Sequence, residues 1–134
     1  MNNAKENEWS RKLTVKSNAT LLVRDTLGCT CPREIFDHYE VGSHFSVNIP
    51  MVQLIMGERL LVRIVDADRL NEPEKTAMEL LIEGRAERDM LRLNRFRLVI
   101  VGTLPPSQIQ VLKGLPEAMD PKVHLHILPV LGFD

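Results

Sequence analysis

Three short apolar runs, separated by longer amphipathic stretches, constrain the fold of this chain more than any other feature of the sequence. The runs cover residues 60–65, 96–101 and 123–128, and each is rich in leucine, isoleucine and valine. Runs of this length and composition are typical of β-strands. The run at 96–101 is apolar almost throughout, which predicts a strand that is buried on both faces of a sheet.

The stretches between these runs predict helices. EPEKTAMELLIEGRAERDMLRLN has Pro73 near its start and apolar residues at helical spacing, and PPSQIQVLKGLPEAM has Pro106 near its start. A further strand is predicted at 20–24, followed by a helix that begins at Pro32. The resulting order, β-α-β-α-β-α-β, predicts an α/β fold of two or three layers. We expect a sheet of four or more strands, mainly parallel, with flanking helices.

Two segments are harder to assign. Residues 1–18 are predicted to form a polar N-terminal tail with at most one short strand, in which Leu13 and Val15 alternate with polar residues. MVQLIMG fits either a short strand or a single helical turn, and Pro50 just before it argues against a central strand. With no internal repeat or linker, residues 19–134 are interpreted as a single α/β domain.

Composition argues against several classes of function. The chain has 17 basic and 18 acidic residues, so its net charge of -1 provides no general attraction to nucleic acid or to an anionic membrane. Aromatic residues make up 4% of the chain, too few for a base-stacking surface. The polar N-terminus does not resemble a signal peptide, and no run of apolar residues is long enough to span a membrane. We therefore expect a cytoplasmic protein that binds neither nucleic acid nor membrane.

The two cysteines of the chain lie one residue apart in the segment TLGCTCPREIF. The predicted strand at 20–24 ends just before them, so Cys29 and Cys31 fall in a loop at the carboxyl end of that strand. Ligands of α/β proteins bind at this edge of the sheet. The polar residues that follow the predicted strands are expected at the same edge, namely Asp25, Asp66, Asp68 and Thr103.

Cys31 is predicted at the N-cap of the helix that begins at Pro32. Proline suits the first helical position, where its missing N–H costs nothing. The free N–H groups of the first turn and the helix dipole favour a negative charge at the N-cap, and hence the thiolate form of a cysteine. We interpret Cys31 as the nucleophilic sulfur and Cys29 as the resolving partner, which makes them the candidate catalytic residues.

The order of strand, short loop, cysteine pair and proline-started helix resembles the thioredoxin-like superfamily. The likeness covers residues 20–40 and extends to the β-α-β order of the chain. It implies a thioredoxin-like sheet and a redox-capable pair at Cys29 and Cys31. The chain departs from the family pattern in having C-x-C instead of C-x-x-C. It also lacks a proline leading into the strand at 96–101, and a helix at Pro106 stands where the family has a hairpin.

Metal binding is an alternative use of the cysteines. Two cysteines provide half of the four ligands of a closed zinc site. His124 and His126 share one face of the last strand because side chains alternate with a period of two. A parallel sheet places His124 near the beginning of its strand, away from the cysteine loop, so we expect no metal site. Nucleotide-binding glycine motifs are also missing, and no cofactor is expected.

VDADRLN places Asp66 and Asp68 after an apolar strand, which is superficially the D-x-D pattern of metal-dependent phosphatases. No convincing downstream lysine and acidic pair accompanies it. A loop that caps the following helix explains the two aspartates equally well.

The sequence therefore predicts a small cytoplasmic thiol-redox protein that uses Cys29 and Cys31 and acts on a redox partner or a protein partner. One alternative belongs to a different class, a non-enzymatic binding module or accessory subunit in which the cysteines are structural. Metal binding through the cysteines is the third hypothesis.

Overall fold

The computed structural model describes residues 3–133, which form an α/β structure with a five-stranded mixed sheet and helices on both faces. The strands are β1 (Tyr39–Ser46), β2 (Ile49–Met56), β3 (Leu60–Asp66), β4 (Arg95–Val101) and β5 (Val123–Leu128). The α-helices are α1 (Ala4–Leu13), α2 (Lys16–Thr20), α3 (Pro73–Met90) and α4 (Pro106–Gly114). A π-helical turn covers Leu21–Thr26, and 3-10 turns cover Arg33–Phe36, Ala67–Arg69 and Leu115–Ala118. Within residues 3–133, no helix is long and apolar enough to cross a membrane.

The strands follow one another across the sheet in the order β1-β2-β3-β4-β5. β1, β2 and β3 form an antiparallel meander, whereas β4 and β5 pair in parallel with β3 and β4, respectively. The expectation of a mainly parallel sheet is therefore wrong, because half of the pairings are antiparallel. The segment β3-α3-β4-α4-β5 has the strand and helix order that the apolar runs predicted.

The hairpin of β1 and β2 explains why the sheet has more antiparallel pairing than expected. Val47 and Asn48 connect the two strands with φ values of 54° and 63°, as a two-residue hairpin turn requires. Valine rarely adopts a positive φ, so the sequence gives little indication of a hairpin turn at Val47 and Asn48. Pro50 is accommodated because the pairing of β2 with β3 begins only at Val52, opposite Ile64.

The predicted strand at 20–24 is wrong, because this segment continues α2 into the π-helical turn. The buried residues Ala19, Leu22, Val23 and Leu27 recur at helical spacing along it. A short apolar run is compatible with either a strand or a buried helix, since a few residues are too short a window to show the period. In place of the predicted strand at 20–24, the hairpin contributes two strands to the sheet, β1 and β2.

The N-terminal segment also differs from the expected polar tail, because α1 packs on the sheet. Leu13 at its end is fully buried, and the Leu13 carbonyl accepts a hydrogen bond of 2.7 Å from the Tyr39 hydroxyl. Glu6 is buried and pairs with Arg69 at 3.1 Å. A polar composition therefore does not keep this segment away from the core, because its few apolar side chains lie on one face.

β3 lies at the centre of the sheet and is buried along its whole length. Leu60, Val62 and Ile64 belong to the core on the side of α1 and the π-helical turn, whereas Leu61 and Val65 belong to the core under α3 and α4. This alternation is the period of two that a strand imposes on its side chains. The sheet therefore separates two apolar layers, and the molecule has three layers in total.

Gly84 brings α3 unusually close to the sheet. A Cβ atom at this position would overlap the ring of Phe96, which is fully buried in β4. The glycine therefore does not kink α3, which continues without interruption from Pro73 to Met90. Its role is to leave room for the Phe96 ring beneath the helix.

Replacing Gly84 with alanine should lower the free energy of unfolding by about 1–3 kcal/mol, because the new methyl group forces Phe96 or α3 to move. Gly114→Ala is the matched control, since nothing lies within 4 Å of a Cβ there. Alanine favours the helical backbone, so the control should be neutral or gain up to about 1 kcal/mol. Urea unfolding of both variants checks this. Equal effects in the two helices would contradict the packing argument.

Candidate functional site

The cysteine loop begins where the π-helical turn ends. Leu27 donates its backbone N–H to the Leu22 carbonyl at 2.8 Å, and Cys29 donates to the Val23 carbonyl at 3.0 Å. Between them, Gly28 has a φ of 75°, in the left-handed region that glycine adopts without strain. These contacts fold the loop back against the helical segment, and Cys29 becomes part of the core with 8% of its surface exposed.

The far end of the loop is held by the turn between β2 and β3. After Cys31, the chain is extended at Pro32 and then enters the 3-10 turn, in which Ile35 is buried. A Cβ on Gly57 would lie only 2.6 Å from the Cβ of Ile35, so the two backbones approach closely. Gly57 also donates its N–H to the carbonyl of His38 at 3.0 Å. The loop is therefore tied to the helical segment before the cysteines and to the turn between β2 and β3 after them.

Two expectations about the loop are corrected by this arrangement. The expected helix after Pro32 is a 3-10 turn of four residues, and its N-cap is Pro32 itself. Cys31 is therefore not at the N-terminus of an α-helix, and a helix dipole does not favour its thiolate form. The loop also lies beside residues 59–60 and 94–95, where β3 and β4 begin. It is at the amino end of the parallel strands, not at the carboxyl end.

Cys29 and Cys31 lie at disulfide-bonding distance, with their Cα atoms 5.4 Å apart. No cysteine within residues 3–133 is free. The two differ in burial, since Cys29 lies in the core whereas Cys31 is partly exposed and packs against that core. One sulfur of the pair is therefore more accessible from solvent than the other.

A pocket of about 300 Å³ opens beside the cysteine pair. Its walls come from the cysteine loop, from the first residues of β3 and from the first residues of β4. The lining residues are Gly28, Cys29, Thr30, Cys31, Arg59, Leu60, Asn94, Arg95 and Arg97. The Arg59 carbonyl accepts the N–H groups of both Asn94 and Arg95, at 2.8 and 3.0 Å, which joins the two strand ends that form the floor.

Arg97 is the most buried charge of the pocket, with 8% of its surface exposed. Its Nη1 donates to the Leu27 carbonyl at 3.4 Å and lies 2.9 Å from Nε2 of His126. Its Nε is buried and has no hydrogen-bond partner in the described part of the chain. Burial lowers the pKa of Arg97, and the charge of Arg95 lowers it further. An arginine nevertheless stays charged near neutral pH.

His124 and His126 of the neighbouring strand β5 contact the arginines of β4. Nη1 of Arg95 lies 2.8 Å from Nε2 of His124, and Arg97 and His126 repeat this arrangement. A guanidinium can only donate hydrogen bonds, so each Nε2 accepts and the imidazoles are neutral. Burial, followed by the charge of Arg97, lowers the pKa of both histidines to about 4. They orient the arginines without adding charge.

Within the described residues, no carboxylate pairs with the arginines of the pocket. Among residues 3–133, none of Arg59, Arg95 and Arg97 forms an ion pair with an aspartate or glutamate. The chain has a net charge of only -1, so this concentration of positive charge is local. The pocket therefore combines a cysteine pair with an electropositive wall.

The sequence pattern indicates the cysteines as site residues, whereas the arginines of the pocket emerge only from the structure. RFRLVIV was interpreted as a strand buried on both faces, although the alternation of Arg95 and Arg97 with apolar residues already places both arginines on one face. His124 and His126 carry the same signal on β5. Nothing in the sequence indicates Arg59 as a pocket residue, because its position depends on the turn between β2 and β3.

The other sequence candidates lie away from this pocket. Asp66 caps the 3-10 turn after β3, accepting the N–H of Asp68 at 3.0 Å, and pairs with Lys5 at 3.0 Å. Asp66 thus caps the 3-10 turn and not α3, whose N-cap Glu72 makes no side-chain capping hydrogen bond. Within residues 3–133, no group of three or more histidine, cysteine, aspartate or glutamate side chains could hold a metal ion.

Comparison with known proteins adds no assignment. No protein-family model matches the chain, and no curated protein matches it either.

Acidification should destabilise the protein between about pH 6.5 and pH 4. In this interval the unfolded chain protonates the two imidazoles at their ordinary pKa of 6.5, whereas the folded protein keeps His124 and His126 neutral down to about 4. The unfolded state binds more protons, so the free energy of unfolding falls as the pH falls. Urea unfolding of a His124→Gln/His126→Gln variant should show a smaller loss than the wild type. Equal losses would contradict the assignment of neutral histidines.

Proposed function

We propose that the chain is a small thiol–disulfide redox protein whose reactive group is the Cys29–Cys31 pair. The observation that carries this proposal is the placement of both cysteines, at disulfide-bonding distance, in the wall of a pocket. Cytoplasmic proteins use close cysteine pairs for redox chemistry more often than for permanent crosslinks. The proposal accordingly places the protein in the cytoplasm, with a thiol or disulfide compound as its partner.

The unequal burial of the two sulfurs supports a direction of attack. A thiolate of an external thiol attacks Sγ of the more exposed Cys31, forms a mixed disulfide, and releases Cys29 as a thiolate. A second external thiolate then attacks the external sulfur of the mixed disulfide and releases Cys31 as a thiolate. Two electrons pass from two external thiols to the protein disulfide, and one external disulfide is formed. The reverse sequence reduces an external disulfide.

The charge of the pocket supports the same chemistry. Thiolates are the nucleophiles and the leaving groups of disulfide exchange, and neighbouring cations favour the thiolate form. Arg59, Arg95 and Arg97 line the pocket together with both cysteines. This source of stabilisation replaces the helix dipole that the sequence had suggested for Cys31.

Single cysteine variants test the assignment of roles. Cys29→Ser should accumulate a stable mixed disulfide on Cys31 when the reduced protein meets hydroxyethyl disulfide, because no resolving thiol remains. Cys31→Ser should react far more slowly, by about tenfold or more, because Cys29 is 8% exposed. Mass spectrometry of intact protein after acid quenching measures both products.

The wild type is the reference, and it should cycle reversibly between reduced and oxidised forms with dithiothreitol and hydroxyethyl disulfide. The double variant Cys29→Ser/Cys31→Ser controls for labelling at other groups. Thiols that react only after denaturation would overturn the redox proposal.

A structural role for the cysteines is a second candidate, and one observation favours it. Cys29 belongs to the apolar core beside the π-helical turn, and Cys31 packs against that core. Under this hypothesis the pair holds the loop in place and the domain acts as a binding module. It predicts a large loss of stability on reduction of the wild type, together with no exchange with external disulfides under native conditions.

A further inference from the structure

The arginines of the pocket carry an inference beyond the reactivity of the cysteines. Arg59, Arg95 and Arg97 all line the same 300 Å³ space beside the cysteine pair. We propose that this pocket, hereafter the three-arginine pocket, binds the carboxylate or phosphate group of a small anionic molecule. The proposal deepens the proposed function and rests on it for one step, the identification of that molecule as an acidic thiol or disulfide.

The strongest support is the uncompensated charge of Arg97. Its side chain is 8% exposed and lines the pocket, and within residues 3–133 it forms no ion pair with a carboxylate. Leaving a buried charge unpaired is costly. An oxyanion in the pocket supplies the missing counter-charge, and guanidinium groups match carboxylate and phosphate oxygens especially well.

The surroundings leave this positive charge available for a ligand. The partners of Arg95 and Arg97 are neutral, namely two histidine nitrogens and the carbonyls of Leu27 and Pro121. Arg59 is exposed where β3 begins, and within residues 3–133 its side chain forms no hydrogen bond or ion pair. Hydrogen bonds to neutral acceptors orient these guanidinium groups but do not cancel their charge.

The size of the pocket limits the ligand to a small molecule. A volume of about 300 Å³ lies at the lower end of the range for small-molecule sites. Because the cysteine pair lines the same pocket, an anionic group held by the arginines brings a sulfur of the same molecule next to Cys31. The substrate class that fits is a low-molecular-weight thiol or disulfide bearing carboxylates.

Anion binding is tested first on the oxidised protein, where no exchange occurs. Inorganic phosphate should bind by isothermal titration calorimetry, and the affinity should fall with added sodium chloride, as expected for charge pairing. Arg59→Gln and Arg95→Gln should each weaken binding by about tenfold, the loss expected for one charged hydrogen bond. Arg11→Gln, an exposed arginine of α1 outside the pocket, should leave binding unchanged.

Substrate selection is tested with three disulfides of different charge. Reduced wild-type protein should react faster with dithiodipropionate, which carries two carboxylates, than with uncharged hydroxyethyl disulfide, and slowest with cationic cystamine. The ratio of the first rate to the last should fall by about tenfold in Arg59→Gln and stay unchanged in Arg11→Gln. Arg59 is exposed and its backbone contacts are retained, so this variant should fold.

The two proposals fail in different ways. Equal rates for the three disulfides, together with no phosphate binding, would overturn the anion site and leave the thiol-redox function standing. Phosphate binding that depends on Arg59 and Arg95, with no exchange with any disulfide, would overturn the redox function and the substrate class while retaining the anion site.

Discussion

The position of β3 between an antiparallel and a parallel neighbour is the constraint on which the rest of the structure depends. Its pairing with β2 requires a tight turn at its amino end, and its pairing with β4 brings the beginning of that strand to the same place. The Arg59 carbonyl joins the two ends by accepting two backbone N–H groups. The floor of the three-arginine pocket is therefore a consequence of sheet pairing.

The cysteine loop reaches this floor because two turns hold it. The π-helical turn ends at Thr26 and Gly28 then directs Cys29 into the core, whereas the close approach of Gly57 and Ile35 ties the other end to the turn between β2 and β3. A π-helical turn is less favourable than continued α-helix and is often found at functional sites. Here it sets the direction in which the cysteines leave the helical segment.

Charge and burial act together at the site. The arginines of β4 and the histidines of β5 form a polar patch on the sheet, where each guanidinium keeps its charge and each imidazole stays neutral. Such an arrangement destabilises the folded protein unless the polar groups are hydrogen-bonded. Functional sites commonly hold charged groups at a cost in folding stability. The buried charges of this patch agree with the proposals made for the cysteine pair.

The sequence by itself determined the C-terminal half of the fold, because β3, β4 and β5 are short apolar runs and the stretches between them carry apolar residues at helical spacing. It also showed that Cys29 and Cys31 form a close pair. Only the tertiary structure decided that residues 20–24 are helical, that β1 and β2 form a hairpin, and that the cysteines lie at the amino end of β3 and β4. An apolar run of about five residues is too short to distinguish a strand from a helix by its period, and the edge that a loop reaches depends on contacts with residues distant in sequence.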